Sequence, residues 1–299
     1  MDWDKLRIFH AVAEAGSFTH AGEKLNLSQS AVSRQISALE DSLKVPLFHR
    51  HARGLILTEQ GELLYDTAHD VFGKLAITEA LLMESKNQPR GQLKITTTIS
   101  FGSTWLAPRM RIFLESYPEI EAHLILADAE LDLSMREADI AIRMSPPKQA
   151  DLVQRHLFTV DIHAYASRAY VERLGLPMSV TELDDHRIIV YGNDVRPPVP
   201  DVNWLLRAGK HSSEMRIPAM TVNNVYAIKQ AILSGCGIGA LPAFMAQGET
   251  ELVSVLPDTL RGPSIDAYFV YPEELRRTQR VEVFRDFLLK EVSESLLKT

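Results

Sequence analysis

Residues 28 to 40 read SQSAVSRQISALE, and four of their side chains, Gln29, Ser30, Ser33 and Arg34, are of types that bond the edges of bases. Arginine bonds a guanine edge or a phosphate, glutamine bonds adenine, and a hydroxyl bonds either. Gln29 with Ser33, and Ser30 with Arg34, are four residues apart, so a helix would carry all four on one side. Val32, Ile36 and Leu39 fall on the other side as an apolar stripe. Further on, HRHARG (residues 49 to 54) places Arg50 and Arg53 at a tip suited to phosphates or a narrow minor groove. His49 and His51 have no third ligand nearby, so no metal site is expected there or elsewhere.

The preceding residues decide whether this polar face is a binding face or only a solvated surface. Trp3, Leu6, Phe9 and Ala13 recur at helical spacing, and Gly16 ends that helix. Ser17 is placed to cap a second helix containing Phe18, Ala21 and Leu25. Asn26-Leu27-Ser28 is a tight turn, with Ser28 able to cap the third helix. Two short helices and a turn before a helix with a polar N-terminal face make a helix-turn-helix, whose second helix enters the major groove. Leu47-Phe48 and Leu55-Ile56-Leu57 are strand candidates for a two-stranded wing around the arginine tip.

The whole chain sets wider limits. Its 299 residues are 45% hydrophobic and 24% charged, enough for two or three domains with real cores. A net charge of −7 argues against a protein that coats nucleic acid without selectivity. Residues 28 to 58, by contrast, are locally basic, with Arg34, Lys44, Arg50 and Arg53 against Glu40 and Asp41. One cysteine, Cys236, excludes an internal disulfide framework or a multi-cysteine zinc site. The start MDWDKL lacks an export signal and no long apolar run is present, so a cytoplasmic protein off the membrane is expected.

The run SFTHAGEKLNLSQSAVSRQISALEDSLKVPLFHRHARGLILTEQGELL resembles the winged helix-turn-helix of the LysR-type transcriptional regulators over nearly fifty residues. It departs from the family at Gly22, where a second alanine is usual, at Ser30, usually proline, and at Lys44, usually glycine. Lys44 would then take a left-handed conformation that glycine adopts more easily. The resemblance implies double-stranded DNA with paired half-sites as partner, a homodimer that assembles into a homotetramer, and contact with RNA polymerase.

A winged helix-turn-helix is thus expected over residues 1–58, followed by a linker and dimerisation helix over 59–88. That helix lacks proline and holds Gly73 in its interior. Leu64, Ala68, Val71, Leu75, Thr78 and Leu82 follow a coiled-coil-like spacing, read as a dimer seam against the alternative of a helix lying on its own domain. Asn87 to Gly91 reads as a hinge.

Residues 89–299 alternate strands and helices, implying α/β order. Strands are expected over 93–98, 122–127, 138–143, 162–166, 188–191, 220–223, 238–241 and 265–270, with helices over 105–117 and 130–136. WLAPRMRIFLESYPEIE, EADIAIRM and ILSGCGIGALP resemble the family's co-inducer domain. The resemblance implies two subdomains like those of periplasmic binding proteins, subdomain I at 92–161 and 267–299 and subdomain II at 162–266, with a small effector, anionic or neutral, between them and no cofactor. Ser100, Phe101, Gly102 and Ser103 follow the first strand and suit an anion, although helix capping explains the same hydroxyls. Arg143 ends a strand where an effector counter-ion belongs, or forms an ion pair within the fold. Asn223 ends another strand similarly, and Gly237 borders the cleft by resemblance.

GCGIG (residues 235 to 239) follows a helix and precedes a strand, the reverse of a dinucleotide fingerprint. Cys236 is read as a small buried hydrophobe or as a redox-sensitive thiol, which would make the chain a redox-responsive regulator. Residues 191 to 204 are proline-rich and read as a loop over the cleft mouth. A third function class, an enzyme on a solute-binding fold, is opposed by the lack of a nucleophile elbow, a P-loop or an HExxH motif.

Overall fold

A computed structural model describes residues 2–51, 54–83, 89–146, 152–192, 197, 199, 201–211 and 214–296, with side chains for all of these except 50, 51, 76, 77 and 79–83. Arg53, the Arg50 side chain, the Leu82 side chain, residues 87 and 88 of the expected hinge and much of the 191–204 loop therefore lie outside the described residues. The chain divides into two compact units, Met1–Leu82 with Ser134–Arg136, and Met83–Leu133 with Glu137–Thr299.

In the first unit α1 spans Trp3–Ala15, α2 Phe18–Leu25 and α3 Gln29–Leu43. Each has a side-chain cap: Asp2 accepts from Asp4 N, Ser17 from Thr19 N, and Ser28 from Ala31 N. Gly16, Asn26 and Lys44 end the three helices with left-handed backbone. Lys44 has φ 57 and ψ 28, the conformation anticipated where a glycine is usual. Val32, Ile36 and Leu39 are fully buried in one core with Phe9, Val12 and Ala21.

The wing is the antiparallel pair β1 (Phe48–His51) and β2 (Gly54–Leu57), with Arg50 opposite Leu55. Glu40 on α3 accepts hydrogen bonds from Leu47 N at 2.7 Å and Phe48 N at 3.3 Å, tying the wing to the helix before it. Thr58 donates to Pro46 O at 2.8 Å and accepts from Gly61 N at 3.0 Å, capping α4 (Glu59–Met83). Gly61 is required there, since a Cβ would sit 2.1 Å from the Leu47 carbonyl oxygen.

Part of the expected seam is used within the single chain. Leu64 packs against the core of the winged helix and Ala68 is buried. The neighbouring Tyr65, His69 and Phe72 meet aromatic rings of α1, with Trp3 and Phe72 at 4.8 Å between centroids. Leu63 (71% exposed), Val71 and Leu75 remain outside as an apolar stripe. An ordinary α-helix drifts relative to a 3.5-residue repeat, so one apolar pattern serves two faces.

The second unit is built on one sheet in the order β4-β3-β5-β11-β6-β9-β7-β8, with β10 against β6. Strands β3 (Gly91–Thr97), β4 (Ile120–Leu126) and β5 (Ile140–Arg143) form a parallel set, as do β7 (Ile188–Tyr191), β8 (Met220–Val222) and β9 (Ile238–Pro242). The two sets are joined by β6 (Leu152–Ser167) and β11 (Ser264–Pro272), which run antiparallel to their neighbours. Along β6 the partner changes between Asp161, opposite Ser264 on β11, and Ile162, opposite Pro242 on β9. The remaining strand, β10, is Leu252–Ser254.

Helices cover the sheet: α5 (Ile99–Phe101) runs through a π-helical turn over Gly102–Leu106 into α6 (Ala107–Ser116), and α7 (Arg168–Leu174), α8 (Val225–Leu233), α9 (Ala243–Ala246) and α10 (Gln279–Ser295) follow. Phe113 meets Phe284 and Phe287 of α10 at about 5 Å, locking α6 to it. The helix expected over residues 130 to 136 is instead a series of turns, with Arg136 at φ 56. No helix among the described residues is long and apolar enough to cross a membrane.

Candidate nucleic-acid interface and effector recess

The two faces of α3 separate by chemistry. Gln29, Ser30 and Arg34 are exposed and Ser33 is half-buried, while Val32, Ile36 and Leu39 show no exposure at all. Ser30 Oγ lies 3.1 Å from the capping Ser28 Oγ, so the two hydroxyls share the first turn. A helix N-terminus carries unpaired N–H groups and partial positive charge, which favours phosphate nearby. The site's positioning residues are not evident in the sequence, where Glu40 is one charge among several, yet it orients the wing by two backbone hydrogen bonds.

In the second unit an apolar recess lies at the carboxyl ends of the parallel strands, where ligands bind in open α/β sheets. Its unfilled space, mouth included, is about 640 Å³. Val160 and Ile162 of β6 and Ile265 of β11 form its floor, Thr98, Ser100 and Met144 one wall, and Ile189 to Tyr191 with Ile228 and Pro242 the other. Among the described residues, none of those lining it is charged. Tyr191 is buried, and its hydroxyl has no hydrogen-bond partner among the described residues. Burial raises the Tyr191 phenol's pKa, and the charge of Asp128 adds to that, so the group is a neutral donor. Asn203 fixes this residue by accepting from Tyr191 N at 2.9 Å and donating to Tyr191 O at 2.8 Å.

Of the residues expected around an effector, only Ser100 lines the recess. The helix after β3 begins at Ile99, several residues earlier than the sequence suggests, so Phe101, Gly102 and Ser103 lie within it. Phe101 is fully buried against Trp105, Phe158 and Phe244. Gly102 packs onto Leu126, and Ser103 is half-buried away from the lining. The N–H groups that an anion would use are taken within the chain: Ile99 N donates to Asp128 Oδ1 at 3.1 Å, and Phe101 N to Thr98 Oγ1. The capping itself is done by Thr98 and Asp128.

Arg143 is likewise engaged elsewhere. It is buried, donates to Ala127 O at 3.3 Å, and sits in the field of Glu130 and Asp128, which oppose the lowering of its pKa by burial. Asn223 is exposed, and the adjacent Asn224 does the local work by capping α8 through Ala227 N. Gly237 precedes β9 at the amino end of the parallel set, opposite the recess, and a Cβ there would lie 2.4 Å from Arg187 O. The resemblance-based placement at the cleft is therefore corrected. Cys236 beside it is exposed, not a buried hydrophobe, with Ser234 Oγ at 3.2 Å. Among the described residues the lining holds no cation, and the Asp128 carboxylate takes up the first helix N–H.

Two family models match the chain. One, "Bacterial regulatory helix-turn-helix protein, lysR family", covers residues 3–62, and the other, "LysR substrate binding domain", covers residues 86–293. An HTH-type transcriptional regulator of Xanthomonas campestris pv. campestris is 31% identical over 96% of this chain and 85% of its own length. The regulator CrgA of Neisseria meningitidis is 29% identical, covering 98% of each chain. The solved structure of CrgA matches with a TM-score of 0.62 over 98% of this chain and 99% of its own. Full-length AphB of Vibrio cholerae, 26% identical, matches with a TM-score of 0.61 over 97% and 99%. The helix-turn-helix, the two-set sheet and these likenesses converge: the chain belongs to the LysR-type transcriptional regulators, with an N-terminal DNA-binding helix-turn-helix and a C-terminal effector-binding domain.

Proposed function

We propose that Gln29, Ser30, Ser33 and Arg34 read base edges in the major groove while Arg50 and Arg53 of the wing hold phosphates. The carrying observation is the division of α3, whose polar side is exposed and whose apolar side is wholly buried. Residues 1–58 act as the DNA-binding domain, 59–88 as the linker and dimerisation helix, and 89–299 as the regulatory domain. Leu63, Val71 and Leu75 supply the subunit contact, because an exposed apolar stripe on a helix is stabilised by a partner helix. The assembly is a dimer that doubles to a tetramer, works in the cytoplasm, contacts RNA polymerase and performs no catalysis.

The effector is small and largely apolar, with one acceptor group placed to take a hydrogen bond from the Tyr191 hydroxyl and a second polar atom near Ser100. Its support is that, among the described residues, the lining is uncharged and the buried hydroxyl of Tyr191, a lining residue, has no partner. Binding draws the two halves of the sheet together and alters the spacing of paired winged helices, hence the bend in DNA. Selection of bound sequences from a random DNA pool tests the first part. Enrichment of one motif repeated in two half-sites is expected from the wild-type chain, and its loss in Gln29→Ala/Arg34→Ala. A wild-type chain that enriches no motif would sink the reading.

A further inference from the structure

A cluster in the first unit is not used by any of this. His10 Nε2 on α1 and His69 Nδ1 on α4 are 3.3 Å apart, and Glu14 Oε1 lies 3.9 Å from His10 Nε2. These three ligand atoms all fall within 4.8 Å of one another. We propose that His10, Glu14 and His69 form a site for one divalent transition-metal ion of the zinc, cobalt or nickel type, pinning α4 to α1.

The spacing fits the chemistry. Two imidazole nitrogens bound at about 2.0–2.1 Å to a tetrahedral ion lie roughly 3.3–3.4 Å apart. The observed separation is that edge, and it is longer than an ordinary N–H···N bond of about 3.0 Å. His10 and Glu14 are one helical turn apart on α1, so a chelate needs no backbone change to begin. The His10 ring is 6% exposed, stacked on Tyr65 at 5.3 Å and 13°, with Phe72 tilted against it at 5.3 Å. That aromatic box holds the ring plane and so fixes the direction in which Nε2 faces His69.

Glu14 faces two ways. Its Oε2 accepts from Lys24 Nζ at 2.7 Å, which leaves Oε1 turned to His10. Two imidazoles and one carboxylate without thiolate select borderline ions over calcium, magnesium or copper(I). A solvent molecule on the Glu14 side completes four ligands. The ion then joins the helix that seats the winged helix to the helix that carries its linker.

The test uses the untagged full-length chain, stripped with chelator and titrated with Co²⁺, then with Zn²⁺ in competition. One Co²⁺ per chain with the visible absorption of a four-coordinate site is expected, displaced by Zn²⁺. His69→Phe keeps an aromatic ring against Tyr65 and should weaken Zn²⁺ binding at least about 100-fold. Glu14→Gln, on the exposed side, should weaken it about tenfold while the circular dichroism spectrum stays that of wild type. Failure of the wild-type chain to take up one equivalent overturns the proposal. So does uptake that is equal in wild type and in either variant that folds.

Discussion

Arg34 and Ile36 are two residues apart on α3 and should fail in opposite ways when truncated. Arg34 is exposed and makes no hydrogen bond or ion pair with the described residues, so Arg34→Ala should leave local stability within about 0.5 kcal/mol of wild type. If it bonds a base, specific binding should weaken by about 1–3 kcal/mol per half-site, or roughly 5- to 150-fold. Ile36 is fully buried between α1, α2 and α3, and Ile36→Ala should cost about 2–5 kcal/mol of that domain's stability. Because the chain has two units, unfolding of the whole molecule is not one step. Hydrogen exchange across residues 3 to 43 reads the relevant stability instead. Anisotropy on a selected operator and on a scrambled duplex, across salt, reads binding. If Arg34→Ala weakened both duplexes equally and lowered the salt slope by about one, Arg34 would be a phosphate contact. If it left both unchanged, Arg34 would not belong to the interface.

Four further outcomes are expected. Glu40→Ala removes a charged acceptor from two wing amides and should cost about 1.5–3 kcal/mol, seen as faster exchange at Leu47 and Phe48. Lys44→Gly relieves a left-handed lysine and should raise the stability of the first unit by up to about 1 kcal/mol in denaturant melts. In a thermal-shift panel of neutral apolar compounds and di- and tricarboxylates, the neutral ones should stabilise the chain, and Val202→Phe, which fills the recess, should abolish that shift; a larger shift from a polycarboxylate would refute the effector class. Burial raises the Asp128 carboxyl's pKa above its unfolded 3.8, so the folded state holds the proton more tightly and loses stability as pH rises through that window. Asp128→Asn lacks this loss, so its stability relative to wild type should rise with pH above 3.8 and then level off.

The helix-turn-helix was legible because every signal there is local. Caps at Ser17 and Ser28, the stop at Gly16 and the stripe Val32, Ile36 and Leu39 each concern residues within a turn or two. Most strands of the second unit were readable from short apolar runs, but β10 was not, and β6 was legible only over 162 to 166 although it begins at Leu152. The effector lining was not, because it is assembled from residues 98 to 265, which no periodicity connects. Around Ser100 to Ser103 the sequence is ambiguous for a definite reason: a free helix N-terminus and one whose first N–H is satisfied by Asp128 look alike until the tertiary partner is known. The seam was legible only in part, since a seven-residue pattern does not say which of two neighbouring helices claims Leu64 and Ala68. Asn203, which grips both backbone groups of Tyr191, left no signal beyond a turn-forming residue in an irregular stretch.

The strand β6 runs unbroken from one half of the sheet into the other, and Val160 and Ile162 on it touch the recess on either side of the exchange of partners. An effector seated there as proposed would therefore press on the same backbone that both halves share. Sensitivity to an effector and stiffness of the domain are then one property, not two. Substitutions along residues 155 to 166 that relax or tighten the strand should reset the threshold of response even where they never meet the effector. In a lineage of such regulators, drift in dose response need not begin in the pocket.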